Sequence, residues 1–146
     1  MRDSRITLFA TVPQTINSNT TITGESLDLL NGYTGDYKEG SPAGYGLGGE
    51  ILFTSITGTA FELEIYWETS SDNSTWVRDS LIIPATDVVA ASSGGTKFVV
   101  PFRLRTTRRY ARIKIVSTNI SGESCVLSGA WISDGSGDQN GTPTRK

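Results

Sequence analysis

The sequence contains no histidine and only one cysteine. The absence of histidine excludes Ser–His–Asp and Cys–His catalysis and the usual catalytic zinc sites. Cys125 has no partner for an internal disulfide, and it lies in an apolar run typical of a buried strand, where a thiol is inert packing. A lone cysteine also favours a reducing folding compartment, because extracellular domains of this size often carry disulfides. We therefore predict that the chain is not an enzyme and binds no metal, cofactor or small-molecule substrate.

Long apolar runs and a surplus of either charge are also missing. No run approaches the roughly 20 apolar residues needed to cross a bilayer, and the first 12 residues lack the pattern of a secretion signal. We therefore expect no membrane partner. The net charge is −2, which argues against nucleic acid as a partner, because proteins that bind it are usually basic.

The chain does have the composition and patterning of β-structure. Its 146 residues fit one domain, and Ser, Thr, Asn and Gly supply much of the polar content. Residues 61–68 alternate apolar and polar side chains without a fault, which is typical of a half-buried antiparallel strand. The four apolar residues are predicted to face the core and the four polar ones the solvent. The first set is Phe61, Leu63, Ile65 and Trp67, and the second is Glu62, Glu64, Tyr66 and Glu68.

About eight strands separated by turn signals are predicted, with no convincing helix and with a polar bridge over residues 14–23. These strands are drawn from ten candidate segments, which are 6–10, 26–29, 50–54, 61–68, 76–78, 81–83, 97–100, 102–105, 109–115 and 125–132. This spacing indicates an all-β, jelly-roll-like antiparallel sandwich over residues 1–132. The buried positions are predicted to include Leu63, Ile65, Val99, Ile113, Ile115, Leu127 and Trp131.

Two segments interrupt the strand pattern. Residues 31–49 hold seven glycines and three tyrosines, and loops of this length inside a compact domain are usually functional or mobile. Tyr33, Tyr37 and Tyr45 are candidate partner contacts, because tyrosine among glycines offers contact area at low entropic cost. The alternative is a loop whose rings only face solvent. Residues 133–146 are polar and Gly-rich, so we predict a flexible C-terminal tail, and Arg2 and Arg5 are further candidate contacts near the N-terminus.

Charged residues are grouped by sign along the strands. Carboxylates occupy one face of residues 62–68, and basic residues alternate with apolar ones over residues 103–105 and 112–114. Opposite charges on neighbouring strands can pair, within one subunit or between subunits. The ion-pair candidates are Glu62, Glu64, Glu68, Arg103, Arg105, Arg109 and Arg112. The alternatives are a phosphate-binding stripe and a glycosidase carboxylate pair.

The order of these segments resembles that of a known family. The Gly-rich excursion ends in residues 48–53 and precedes the long alternating strand. A turn of the form S-x-D-x-S-x-W follows at residues 70–76, and an R-Y-x-R-I strand lies at residues 109–113. Together these features resemble the Bbp16-like capsid cement (decoration) proteins of tailed bacteriophages, over residues 5–132. The chain departs from that family in its longer Gly/Tyr loop and in its tail.

The resemblance implies a jelly-roll trimer on the outer capsid surface of the virion, made in the bacterial cytoplasm. Its partner would be the major capsid protein, whose neighbouring subunits it would bridge and stabilise in the expanded shell. Loop 31–49 and the termini, rather than the strand faces, are expected to make the contact. The alternative is a carbohydrate-binding or receptor-binding module of a phage tail, which would be supported if Trp67 or Trp76 were accessible to solvent.

Overall fold

The computed structural model describes residues 8–28, 47–91, 97–104, 106 and 108–132. Within these ranges the chain forms nine strands and one helical turn. The elements are β1 (Gln14–Ile16), β2 (Thr20–Thr23), β3 (Leu27–Asp28), β4 (Leu47–Thr57), β5 (Glu62–Ser70), β6 (Val77–Asp87), α1 (Val88–Ala91), β7 (Lys97–Leu104), β8 (Tyr110–Thr118) and β9 (Ser124–Ile132).

The strands pair into two antiparallel sheets that pack as a sandwich. The four-stranded sheet has the order β1-β9-β4-β7. The five-stranded sheet has the order β2-β8-β5-β6, and β3 pairs with β8 on the same side as β2. The predicted all-β antiparallel sandwich is confirmed.

The core lies between the inward faces of the two sheets. Its largest fully buried side chains come from both, and they are Trp67, Phe53, Phe61, Ile16, Ile51, Leu63, Ile65, Ile113, Ile115 and Leu127. The alternation predicted for residues 61–68 is confirmed, because its four apolar residues are completely buried and its four polar residues are partly exposed. β8 repeats this pattern beside β5. The core therefore has a sequence signature on its two central strands.

A glycine separates β2 from β3 along the edge of β8. The amide N–H of Gly24 donates to the Ile113 carbonyl oxygen at 2.7 Å, and that of Glu25 donates to the Leu8 carbonyl oxygen at 2.8 Å. A Cβ on residue 24 would lie 2.7 Å from the Leu8 carbonyl oxygen. Because that neighbour is backbone and cannot move aside cheaply, only glycine fits here. β2 and β3 are thus two parts of one interrupted edge strand.

The strand boundaries predicted near the N-terminus are wrong. Residues 8–10 of the first predicted strand form no strand, and residues 6–7 lie outside the described part. The predicted polar bridge over residues 14–23 instead contains β1 and β2. Each of these short strands buries one isoleucine, Ile16 or Ile22, and hydrogen bonds with β9 or β8 hold it in place.

Further predicted breaks are absent from the structure. β6 continues through Pro84 and β7 through Pro101, although both prolines were predicted to separate strand segments. β6 and β7 are edge strands, where proline is tolerated because one side of the strand has no neighbour to pair with. The predicted Gly-rich loop also ends earlier than residue 49, because Leu47 already belongs to β4. One helical turn, α1, is present where none was predicted, and Asp87 caps it by accepting from the Val89 and Ala90 amides.

The core prediction is right at five positions and wrong at two. Leu63, Ile65, Ile113, Ile115 and Leu127 are buried as predicted. The two exceptions are Val99, which is 39% exposed, and Trp131, which is only half-buried.

A bulge explains the position of Trp131. Phe53 pairs with Leu127 whereas its neighbour Leu52 pairs with Gly129, so β9 carries one extra residue at Ser128. An extra residue reverses the inward and outward alternation beyond it. Trp131 consequently lies on the outer face, opposite Glu50.

Candidate partner-binding surfaces

Five predicted partner contacts lie outside the described residues. These are Tyr33, Tyr37, Tyr45, Arg2 and Arg5, and the ion-pair candidate Arg105 lies outside them as well. The structure therefore bears on the two outer sheet faces and on the edge strands.

The outer face of the five-stranded sheet carries most of the predicted charged residues. We call it the charged face, and its residues are Glu62, Glu64, Tyr66, Glu68, Arg78, Tyr110, Arg112 and Lys114. Glu68 lies directly opposite Arg112 on β8 and opposite Arg78 on β6. Because opposite charges face each other across neighbouring strands, this surface can neutralise itself within one chain.

Glu68 and Arg112 form the central ion pair of the charged face. Arg112 Nε donates to Glu68 Oε1 at 2.8 Å, and Lys114 Nζ lies 3.6 Å from Glu68 Oε2. The Glu68 side chain is only 12% exposed. Shielding a carboxylate from water without a partner is costly, so the two cations stabilise the charge of Glu68 in this position.

The same Arg112 also packs on Trp76. Its guanidinium carbon lies 4.0 Å from the centroid of the indole ring. A planar guanidinium can stack on an aromatic face while its edge donates to a carboxylate, which a lysine ammonium cannot do. Trp76, Arg112 and Glu68 thus form one continuous cluster that joins the turn before β6 with β8 and β5.

Two further ion pairs border this cluster. Arg78 Nη2 donates to Glu64 Oε2 at 3.1 Å and its guanidinium carbon lies 4.2 Å from the Tyr66 ring centroid. The Arg78 side chain is half exposed, so this pair contributes little to stability. The second joins Arg109 to Asp28.

Arg109 binds Asp28 rather than the predicted row of glutamates. Arg109 Nε and Nη2 donate to the two Asp28 carboxylate oxygens at 2.9 and 2.8 Å. Both side chains are about one-third exposed. This bidentate geometry fixes the two-residue strand β3 to the start of β8.

Glu62 and Arg103 are not brought together with the other candidates. Arg103 lies on β7 in the four-stranded sheet, so the predicted basic row is divided between two sheets. Its carbonyl oxygen accepts a hydrogen bond from Trp67 Nε1 at 3.1 Å, and its side chain is exposed. Glu62 lies opposite Asp87 and Thr118. Among the described residues neither Glu62 nor Arg103 forms an ion pair.

The S-x-D-x-S-x-W segment is a tight turn organised by Asp72. Its Oδ1 accepts from the Ser74 and Thr75 amides at 2.9 and 2.8 Å and from the Ser70 hydroxyl at 2.9 Å. These hydrogen bonds lower the pKa of Asp72 to about 2, and the one from the Thr75 amide has the largest effect. Asn73 has a φ of 59°, a left-handed conformation that asparagine tolerates. The turn thereby delivers Trp76 to the charged face.

Trp67 and Trp76 do not form an open platform for sugar. Trp67 is completely buried and packs edge-on against Phe102, with ring centroids 5.5 Å apart. Trp76 is half-buried, and the Arg112 guanidinium covers one side of its ring. Access of solvent to the ring, which would have supported a carbohydrate-binding module, is therefore absent at Trp67 and limited at Trp76.

The outer face of the four-stranded sheet differs from the charged face. We call it the Val99 face, and its residues are Glu50, Leu52, Thr54, Lys97, Val99, Pro101, Arg103, Val126, Ser128 and Trp131. Leu52 pairs with Val99 on one side and with Gly129 on the other. The Trp131 ring lies against Gly129, where a Cβ would be 2.9 Å from its Cζ3 atom. Apolar surface therefore extends over three neighbouring strands.

Charges border this apolar surface without being neutralised there. Glu50 lies opposite Pro101, Lys97 opposite Thr54, and Arg103 opposite Gly48. Within residues 47–57, 97–104 and 124–132, none of the three forms an ion pair. The Val99 face was not identified from the sequence, because Val99 and Trp131 were assigned to the core.

The described residues contain little that suggests other chemistry. Cys125 is buried in β9 as predicted, and burial raises the pKa of its thiol to about 12, so it is not a thiolate at neutral pH. No group of three metal-ligating side chains occurs in this part of the chain. Nor does any helix there have the length and apolar character needed to span a membrane.

Comparison of the chain with family models, curated proteins and solved structures gives no match.

Proposed function

We propose that the chain is a non-catalytic capsid decoration protein of a tailed bacteriophage. In this role it binds the outside of the expanded shell and bridges neighbouring subunits of the major capsid protein. The observation that carries the proposal is the meeting of two motifs behind the family resemblance. Trp76, which ends the S-x-D-x-S-x-W turn, stacks on Arg112 of the R-Y-x-R-I strand. The two motifs thus form one structural unit, which supports treating them as one feature of the resemblance rather than as two separate matches.

The strand pairing supports the jelly-roll part of the proposal. If β2 and β3 count as one interrupted strand, the described sandwich has eight strands. The first then pairs with the eighth, the second with the seventh, the third with the sixth and the fourth with the fifth. This nested pairing is the one expected when an antiparallel ribbon folds over into a jelly roll.

A trimer remains part of the proposal on the family resemblance alone. Pairing of the acidic and basic rows between subunits would support it. Glu64 and Glu68 instead pair with Arg78 and Arg112 of the same chain. Contacts between subunits must therefore use other groups.

Stabilisation of the shell would follow from preferential binding. A protein that binds the expanded shell but not its dissociated subunits raises the stability of the bound state by mass action. If the protein is a trimer, three linked contacts raise the apparent affinity well beyond that of one contact. A rigid sandwich suits this role, because its core stays ordered while its surface contacts neighbouring subunits.

Co-sedimentation with phage heads tests the proposal. The purified protein is mixed with emptied, expanded heads of the phage that encodes it and, as the control, with unexpanded heads. We expect it to pellet with the expanded heads and to raise the temperature at which they fall apart. A protein that stays in the supernatant with both kinds of head would rule out the decoration role.

A further inference from the structure

We infer that the Val99 face is the surface that contacts the capsid, and that it fits a protein surface with an apolar centre bordered by carboxylates. This inference rests on the proposed function. It departs from the expectation that the Gly/Tyr loop and the termini make the contact rather than the strand faces, because it adds one strand face to them.

The contrast between the two outer faces carries the inference. On the charged face, Glu64, Glu68 and Asp28 each have a cation of the same chain as partner, and three arginines lie over aromatic rings. Of the carboxylates on the charged face, only Glu62 has no cation of the described residues as partner. The Val99 face instead combines the Leu52–Val99 pair with charges that no described residue neutralises. An apolar centre with a charged rim is the usual composition of a protein-binding surface.

The charges of the Val99 face favour a foreign partner over a second copy of the chain. Two basic residues, Lys97 and Arg103, and one acidic residue, Glu50, give this face a net charge of +1, whereas the whole chain has −2. Lys97 and Arg103 are exposed and Glu50 is half-buried. Packing two such faces together would bring four cations to only two carboxylates, whereas a surface rich in carboxylates would provide a partner for both Lys97 and Arg103.

The position of the chain junctions agrees with this surface. Residues 29–46 join the described structure at Leu47, and residues 133–146 follow Ile132. Gly49 pairs with Ile132, and Gly48 pairs with Arg103, so both junctions lie at the Arg103 end of the four-stranded sheet. The C-terminal segment thus leaves from the sheet that carries the Val99 face, and the Gly/Tyr loop connects Asp28 of the five-stranded sheet to Leu47 of this one.

Two matched substitutions test the inference. Val99→Glu introduces a carboxylate in the centre of the Val99 face. Val77→Glu makes the same change on β6 in the other sheet. The two valines are 39% and 40% exposed, and both lie on edge strands, so the substitutions disturb the fold to a similar extent. Each variant is checked by thermal unfolding, then titrated against expanded heads and analysed alone by sedimentation velocity.

We expect Val99→Glu to weaken binding to heads by about tenfold or more, and Val77→Glu to change it by less than about twofold. If the wild type binds and Val99→Glu binds equally well, the inference is wrong and the proposed function stands. If the wild type does not bind heads, both fail. If Val99→Glu instead dissociates an oligomer seen for the wild type, the face is a contact between copies and the inference is again wrong.

A second variant covers the case in which Val99→Glu does not fold. Lys97 is exposed and forms no ion pair in the described part of the chain, so Lys97→Glu leaves the core untouched. It should weaken head binding and reduce its dependence on salt, because a cation that pairs with a partner carboxylate is lost. Unchanged binding and salt dependence would overturn the inference.

Discussion

The guanidinium of Arg112 lies over the ring of Trp76, with its central carbon 4.0 Å from the ring centroid, while its Nε donates to Glu68. One side chain therefore connects the turn before β6 with β8 and β5. The contact organises the charged face within a single chain, and it joins two motifs that are distant in sequence.

We predict that Arg112 and Trp76 are energetically coupled. In a double-mutant cycle of Arg112→Ala and Trp76→Ala, the coupling free energy should be about 0.5–1.5 kcal/mol, the range for a partly shielded cation–π contact. Urea unfolding of the four proteins measures it. Arg103→Ala, in the other sheet, is the control partner and should add to Trp76→Ala without coupling. A coupling free energy of zero between Arg112 and Trp76 would show that the stacking contributes nothing to stability.

The two tryptophans Trp67 and Trp131 should differ in their importance for stability. Trp67→Ala removes a fully buried ring and the hydrogen bond to the Arg103 carbonyl, so we expect it to cost about 3–5 kcal/mol. Trp131→Ala should cost clearly less, because the ring is half-buried on an outer face. Chemical denaturation of both variants makes the comparison. Equal losses would place Trp131 in the core after all.

Asp72 should make stability depend on pH in the acid range. The pKa of the Asp72 carboxyl is about 2 in the folded chain, below its ordinary value of 3.8. Folding therefore favours the charged form of this carboxyl. This contribution is fully present above about pH 4 and is lost as the pH falls through 2. Asp72→Asn should therefore lower the melting temperature at pH 7, and the difference from wild type should shrink toward pH 2. A difference that stays constant over this range would contradict the assignment.

Cys125 should be unreactive in the folded protein. Its thiol is buried in β9, and its pKa of about 12 leaves almost no thiolate at pH 8. A chromogenic disulfide reagent at pH 8 should label it only after denaturant is added. The denatured chain is the positive control. Fast labelling of the folded chain would mean that β9 opens readily or that the residue is exposed.

The sequence predicted the central strands well because their pattern is local. Alternation over residues 61–68 and 109–115 is visible without knowledge of neighbours, and β5 and β8 indeed lie side by side. The edge strands β1 and β2 have no such pattern, because each buries one isoleucine among threonines and other polar residues. Their strand conformation comes from pairing with β9 and β8, and this pairing leaves no pattern in the local sequence.

The sequence by itself determined the fold class, the buried side of β5 and the inert environment of Cys125, since these follow from short-range pattern and composition. Only the tertiary structure decided which charges meet and which surface stays open. Arg103 and Arg112 belong to different sheets, so their proximity in sequence says nothing about shared partners. Trp131 is turned outward by one extra residue at Ser128, and Val99 because Phe98, Val100 and Phe102 occupy the inward positions of β7. Register and strand order are properties of distant pairings, and a single inserted residue reverses every side chain beyond it.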